Sequence, residues 1–459
     1  MVFGYTPLDP LVVLWGTLLA SWYLSHNAVK LICFMPTALS LWFFVPLVTN
    51  LTLWQTVPLL LTGRVLLKGG LRLPRFARPV VIVVAICFVL SAGYALAAGA
   101  DETRALIRIL YYLGIFATLA FAYEMGRRPE AYEILLKGLV VMGIVYAVYG
   151  AYQIVAFYTG LPVRGIVYSS SGGSIMAFEG GLLRINSLTN EPKRLGYVLF
   201  LAAMACVFLA RMRDARRARQ LRWAAVGIFV ISIMTFAGSY FIAIALFGLG
   251  VLLLYPSRAT IYIFGAVTIA IGVSVVVPDL GILEALQHGY ERRMAEIEVG
   301  VDGTVVYRQE FFAWDYLANN PLSYLTGVGV GQYYSVLNKA YGVGAGYNEF
   351  GGLMPLNSNF LEMIFDLGVI AVVLVYGGLM FLIFRLRRTG ETFFCLSLLF
   401  LAAQSLTILN LLYVALFAGV AMGRLVLHRK GAFQGKHLTS VSRSERPYEI
   451  ARLASYHDG

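Results

Sequence analysis

Residues 358–388 read SNFLEMIFDLGVIAVVLVYGGLMFLIFRLRR. Ser358, Asn359, Glu362 and Asp366 crowd the start, an apolar run carries on to Phe384, and Arg385, Arg387 and Arg388 close the stretch. A helix needs about 20 apolar residues to cross a bilayer's hydrocarbon core, and Lys and Arg gather at the cytoplasmic end of such helices. The stretch is therefore read as a membrane span with a polar mouth at one end and a basic anchor at the other. Working outward, similar apolar runs fall near residues 9–25, 31–48, 51–68, 79–98, 105–125, 136–159, 196–211, 222–236, 238–255, 260–277, 391–408 and 410–427. Those before residue 70, and the tight pair after 222, are too short or too closely spaced to count securely. The fold class expected is all-α, a polytopic membrane protein with about 11–13 transmembrane helices and a large extracytoplasmic loop with short helices.

Composition agrees. The 459 residues are 59% hydrophobic and only 13% charged, and the mean hydropathy is +0.76. Lipid is the solvent such a chain is made for, and no separate soluble domain is expected. The net charge of +12 would suggest nucleic acid in a soluble protein; here Lys and Arg retained on the cytoplasmic side explain most of it, and no nucleic-acid partner is expected. Cys33, Cys87, Cys206 and Cys395 lie inside apolar stretches without a CxxC or a Cys/His pair, so they read as small core residues. The N-terminus, MVFGYTPLDP, lacks a positive n-region, which predicts that the first helix is kept.

Orientation follows from the basic clusters: Arg72, Arg75 and Arg78; Arg127 and Arg128; six arginines from Arg211 to Arg222; Arg385, Arg387 and Arg388; and the tail from His428. If the spans after residue 78 alternate, all these share the cytoplasmic face. Residues 1–430 then form one transmembrane domain with external loops at 160–195 and 278–357, and 431–459 form a polar cytoplasmic tail. No internal repeat links the two halves, which disfavours transporters built from inverted repeats.

The first external loop ends RINSLTNEPKR, residues 184–194. Arg184, Lys193 and Arg194 stand on the face that usually carries few cations, and Pro192 starts a helix beside them. Fixed positive charge plus free N–H groups at a helix start make a phosphate site; the alternative is that these side chains snorkel to lipid headgroups. Glu191 either pairs with one of them or acts as a general base. In the second loop, Phe311, Phe312, Trp314 and Leu317 behind Arg308 suggest an amphipathic helix. The turn Gly327–Gly331, GVGVG, lacks a preceding strand and is read as a close backbone approach rather than a dinucleotide site. Asn357, Ser358 and Asn359 form the polar mouth. Asn359, Glu362 and Asp366, at i, i+3 and i+7, share one helical face, either toward a protein interior or watery cavity or as a cap favouring the helix dipole.

Three stretches resemble the superfamily of bacterial O-antigen ligases and O-antigen or exopolysaccharide polymerases. RINSLTNEP is similar to the family's Arg, acidic or Asn residue and Pro before a helix; Arg308 to Gly331 is similar to its Arg-led loop helix ending in Pro and a glycine turn; and Asn357-Ser358-Asn359-Phe360-Leu361 with Gly368 is similar to its HNxxLxxxxxxG pattern. The chain departs where ligases carry His, having Asn357, and where many members carry Ser-Arg, having Ser239-Tyr240. The resemblance implies a multi-pass protein of the bacterial inner membrane with its active site facing the periplasm. Its partners would be an undecaprenyl-diphosphate-linked glycan, as donor and acceptor, and a chain-length regulator protein. The implied reaction is an inverting glycosyl transfer without cofactor or metal: a sugar hydroxyl attacks the anomeric carbon and the lipid diphosphate departs. Neither external loop carries a DxD-like carboxylate pair, which suits that scheme. Arg184, Arg308, Lys193 and Arg194 would hold the diphosphate; Ser358, Asn359 and Tyr240 would line the glycan path; and Glu191, Asn357 and Glu349 are the catalytic candidates, with His288 a further base. Polymerase is favoured over ligase because position 357 is not His. A flippase or other transporter is the rival from another class, expected to concentrate polar residues at broken helices, and a scaffolding subunit is a second.

Overall fold

The computed structural model describes residues 28–40, 44–45, 48–52, 61, 73–98, 101–161, 178–179, 182–183, 185–189, 192–235, 237–256, 297–299, 305–307, 309–341, 356, 358–405 and 411–441. Helices dominate: α1 (Leu31–Ser40), α2 (Arg78–Ala98), α3 (Glu102–Gly126), α4 (Ala131–Thr159), α5 (Pro192–Ala210), α6 (Ala215–Ile233), α7 (Gly238–Leu254), α8 (Gln309–Asn319), α9 (Pro321–Thr326), α10 (Tyr333–Tyr341), α11 (Asn359–Thr389), α12 (Thr392–Ser405) and α13 (Leu411–Val441). Three two-stranded antiparallel ribbons, Phe44–Val45 with Val48–Thr52, Phe178–Glu179 with Leu182–Leu183, and Ile297–Val299 with Val305–Tyr307, are the described strands.

Among the described residues six helices, α2, α3, α4, α5, α11 and α13, are long and apolar enough to cross a membrane, and α1, α7 and α12 are shorter apolar helices. The protein is an all-α, multi-pass membrane protein. Exposed apolar side chains along α2 and α4, such as Ile86, Leu90, Val145 and Val148, face outward where lipid would meet them. The apolar runs near 9–25 and 260–277 lie outside the described residues, as does nearly all of 51–68. The run 31–48, one of those too short to count securely, holds the ten-residue helix α1, which stops at Ser40, and a ribbon that starts at Phe44. At the other terminus α13 continues to Val441, so its helix enters the stretch read as tail. The four cysteines are unpaired, with Cys206 and Cys395 buried.

Small residues set a close helix contact. A Cβ at Gly419 would lie 2.6 Å from the Leu119 carbonyl oxygen, and one at Gly423 would lie 2.6 Å from that of Tyr123. Two glycines four apart therefore let the backbones of α13 and α3 approach as only small residues allow. Around this pair lies the larger core, where Tyr197, Tyr413, Phe393, Phe394 and Phe417 are buried. Buried tyrosine hydroxyls there find partners, as Tyr146 does in Ser40 Oγ at 2.8 Å. A second, smaller core joins α2, the start of α3, α8 to α10 and the start of α11.

The helix α11 is broken. Ser358 caps it, accepting from Leu361 N–H at 3.3 Å, but at Gly368 the chain leaves helical geometry with φ 83° and ψ 163°. Glycine is required twice over: the positive φ disfavours a side chain, and a Cβ there would sit 2.1 Å from the Leu325 carbonyl oxygen at the end of α9. Carbonyls freed by the break find donors, Phe365 O from Val328 N–H at 2.7 Å and Asp366 O from the Ser91 hydroxyl. The glycine turn 327–331 is thus the backbone approach that its sequence predicts.

The basic clusters share one end. Arg75 and Arg78 before and at the start of α2, and Arg385 and Arg388 near the end of α11, surround one cavity with Tyr123 of α3 and Leu425 of α13. Arg213, after α5, pairs with Glu133 at the start of α4. Asn359, Arg104 and Arg194 lie at the opposite ends of their helices, here called the mouth end.

Candidate functional site

At the mouth end, the first turns of α3 place Arg104, Arg108, Tyr111 and Tyr112 on one face, four and then three or four residues apart. Opposite them α11 presents Asn359, Glu362 and Asp366. Arg108 lies between the two acids: its Nε donates to Asp366 Oδ2 at 2.8 Å, and its Nη2 comes within 2.5 Å of Glu362 Oε2. The second approach is a close ion pair without hydrogen-bond angles, so neither Nη2 nor Oε2 has a hydrogen-bond partner. The guanidinium also lies over the rings of Tyr111 and Tyr112, at 4.8 and 5.4 Å from their centroids.

The two acids differ in satisfaction. Asp366 is wholly buried and accepts from three donors: Arg108 Nε, Tyr112 OH at 2.9 Å on the same oxygen, and Gly331 N–H at 2.9 Å on the other. Removing water from a carboxylate costs several kcal/mol, and three donors are what offsets it. Glu362 is also buried, yet its Oε2 faces a guanidinium nitrogen and nothing that donates in line. Beside them Asn359 has no exposed surface, and neither its Nδ2 nor its Oδ1 has a hydrogen-bond partner among the described residues. Buried polar atoms are nearly always paired. Among the described residues of the mouth, Asn359 and Glu362 therefore have bonding capacity to spare, as has Arg104 through its Nη1, whereas Asp366 is committed to holding the turn, α3 and α11 together.

A second clasp fixes the turn to α3: Gln332 Nε2 donates to Asp101 O at 3.0 Å, Asp101 N–H approaches Gln332 Oε1 at 3.4 Å, and Asp101 itself caps α3 by accepting from Arg104 N–H at 3.0 Å. Arg104 lies over the Tyr334 ring at 4.8 Å. Rings of the loop helices cover the start of α11, with Tyr316 and Phe365 centroids 6.0 Å apart and Trp314 and Phe360 6.4 Å apart.

Of the residues expected from sequence, Asn359 belongs to this cluster, and Arg194, in the first turn of α5, interacts electrostatically with Glu362 and Tyr111. Lys193 is its neighbour in that turn and half-buried. The turn before α5 is pinned from α4: Gln153 Nε2 donates to Asn186 Oδ1 at 3.1 Å and its Oε1 accepts from Ser187 N–H at 2.8 Å, with Ser187 at φ 49°. Ser358 serves as the α11 cap. Tyr240 takes no part in the mouth cluster: its hydroxyl is committed to Ser232 Oγ at 2.7 Å and its ring packs under Gly196, so it cements α7 to α5 and α6. Arg184, Glu191, His288, Arg308, Glu349 and Asn357 lie outside the described residues.

Sequence reasoning missed Arg108, absorbed into the apolar run 105–125. The signal was present, since Arg104 and Arg108 stand four apart at the end of a span opposite to every basic cluster. The helix break is a further feature that the sequence did not disclose: Asp366 stands two residues before Gly368. Among the described residues no three His, Cys, Asp or Glu side chains group to hold a metal. No family model, curated protein or solved structure matches this chain.

Proposed function

We propose that the mouth cluster is the active site of a membrane glycosyltransferase that polymerises polysaccharide repeat units carried on a lipid diphosphate, at the periplasmic face of a bacterial inner membrane. The single observation that carries this reading is the buried Arg108–Glu362–Asp366 group with Asn359 and part of Glu362 left unsatisfied beside it. Glu362 is the general base in place of the residues expected from sequence. Its carboxylate takes the proton of an acceptor sugar hydroxyl as that oxygen bonds to the donor's anomeric carbon; the bond from that carbon to the diphosphate oxygen breaks, and the lipid diphosphate leaves as the anion. Asn359 donates to and accepts from sugar hydroxyls, the kind of partner a stranded amide needs. Arg108 is nearly matched by its two acids, so the leaving diphosphate falls to Lys193 and Arg194, together with Arg184 and Arg308 of the external loops. The resemblance to glycan polymerases and ligases supports the same chemistry, and transfer to a lipid A core is the variant it leaves open.

The test is elongation in vitro of a purified lipid-diphosphate-linked repeat unit. Glu362→Gln removes the base and keeps the shape, so polymer is lost while the unfolding midpoint in detergent stays near that of the wild type. Wild-type chain lengths from this variant, and from Arg184→Ala and Arg308→Ala, overturn the assignment.

A second reading, transport of the lipid-linked glycan, is favoured by one observation: a broken helix with buried ionisable groups beside the break is also how secondary transporters build their sites. Asp366 lies about 10 Å along α11 from Asn359, near one end and not at mid-depth. Proteoliposomes separate the two, since a transporter moves labelled lipid-linked units across the bilayer without lengthening them.

A further inference from the structure

At the basic end a cavity of about 570 Å³ opens between the start of α2, the ends of α3 and α11 and the middle of α13. Arg75, Arg78, Arg385 and Arg388 bring four guanidinium groups to it, Phe76 and Leu425 contribute apolar surface, and among the described residues no acidic side chain lines it. Two of the four cations are held in place: Arg78 Nε donates to Leu73 O at 2.9 Å, and the Arg385 guanidinium lies 4.8 Å from the Phe76 ring and 4.7 Å from that of Phe381. Arg75 and Arg388 are exposed and have no carboxylate partner among the described residues.

Arginines at the end of a span ordinarily anchor it by snorkelling, and that accounts for their presence. It does not account for their grouping. Elsewhere at this end some cations are matched, Arg213 and Lys137 sharing Glu133 and Arg424 and His428 sharing Glu391; what sets the four apart is the single hollow that they surround. Four unmatched guanidiniums around one hollow call for an anion, and planar guanidinium groups suit phosphate oxygens. The surroundings say what kind. Helical spacing puts Ile82 and Ile86 on the Arg78 face of α2, and Phe381 and Phe384 on the Arg385 and Arg388 side of α11, and all four are exposed large hydrophobics. A free phosphate has no use for that flank; a lipid's acyl chains do.

We propose that this cavity binds the phosphate headgroup of an anionic phospholipid, whose chains run along Ile82, Ile86, Phe381 and Phe384. The site is separate from the mouth: Arg78 and Ser91 are about 20 Å apart along α2. The inference therefore stands whether or not the protein transfers sugars.

Native mass spectrometry of the full-length protein in detergent, titrated with phosphatidylglycerol, phosphatidylcholine or inorganic phosphate, provides the test. Phosphatidylglycerol should bind in preference to phosphatidylcholine, and the pair Arg75→Gln/Arg388→Gln should weaken it about 30-fold, taking about 1 kcal/mol per basic residue. The control pair Arg216→Gln/Arg219→Gln, at the same end but outside the cavity, should weaken it less than about 3-fold. Thr389→Glu, which puts a carboxylate on the exposed rim and removes no cation, should also weaken binding, and it decides the matter if the double variant does not fold. Equal loss in the two arginine pairs, or equal binding of both lipids, overturns the proposal. Displacement of phosphatidylglycerol by an equal concentration of inorganic phosphate overturns the lipid assignment in favour of a free-anion site.

Discussion

The two ends of the bundle handle charge in opposite ways. At the mouth end one guanidinium is enclosed by two carboxylates and two tyrosine rings, while at the basic end four guanidiniums stand around an open hollow with no carboxylate among the described residues of its walls. Depth makes the difference. A charge removed from water must be matched where it lies, because the penalty is several kcal/mol per ion; a charge that reaches water or headgroups can stay unmatched at little cost. The matched cluster is consequently rigid and position-specific, and the unmatched one is a standing attraction for anions.

Breaking the matched end should have the largest effect. Asp366→Ala strands three donors, the Arg108 guanidinium, the Tyr112 hydroxyl and Gly331 N–H, and it should lower stability by about 3–5 kcal/mol, read as a drop in the unfolding midpoint in detergent together with loss of the proposed polymer. If stability is unchanged, the contrast between the ends has no energetic content. Gly368→Ala comes next: positive φ with a side chain costs about 1–3 kcal/mol, and the overlap with Leu325 O should also shift protease cleavage within 309–341, where α9 is anchored. Gln332→Ala removes the clasp to Asp101 and should cost about 1 kcal/mol while leaving the Asp366 contacts intact, which sharpens the assignment of rigidity to Asp366. The unmatched end should respond least, Arg75→Gln/Arg388→Gln changing the midpoint in lipid-free detergent by less than about 0.5 kcal/mol. A large loss there would mean that those arginines hold the helices and do not await a ligand.

Much of this was legible in the sequence. Residues 78–126 and 359–389 give their spans through length and apolarity, and the spacing of Asn359, Glu362 and Asp366 places them on one face because helical periodicity is a local property. Pro192 marks the start of α5 for the same reason. What stayed hidden depends on pairing across long separations. Nothing near Arg108 in sequence says that its partners lie more than 250 positions later, and a glycine inside an apolar run gives no sign that another helix ends against it. Tyr240 illustrates the reverse error: a position chosen by analogy proves to be held by Ser232, a neighbour eight residues away on the preceding helix.

The bond between Arg108 and Asp366 spans 258 positions of chain, and a ribosome adds roughly 5–20 residues per second. During synthesis the α3 guanidinium therefore waits roughly 10–50 s for its acid to emerge. Through that interval α3 sits in the bilayer with an unneutralised cation, so the nascent chain depends on something else, water in the insertion machinery or a lipid phosphate, to shelter it until α11 arrives.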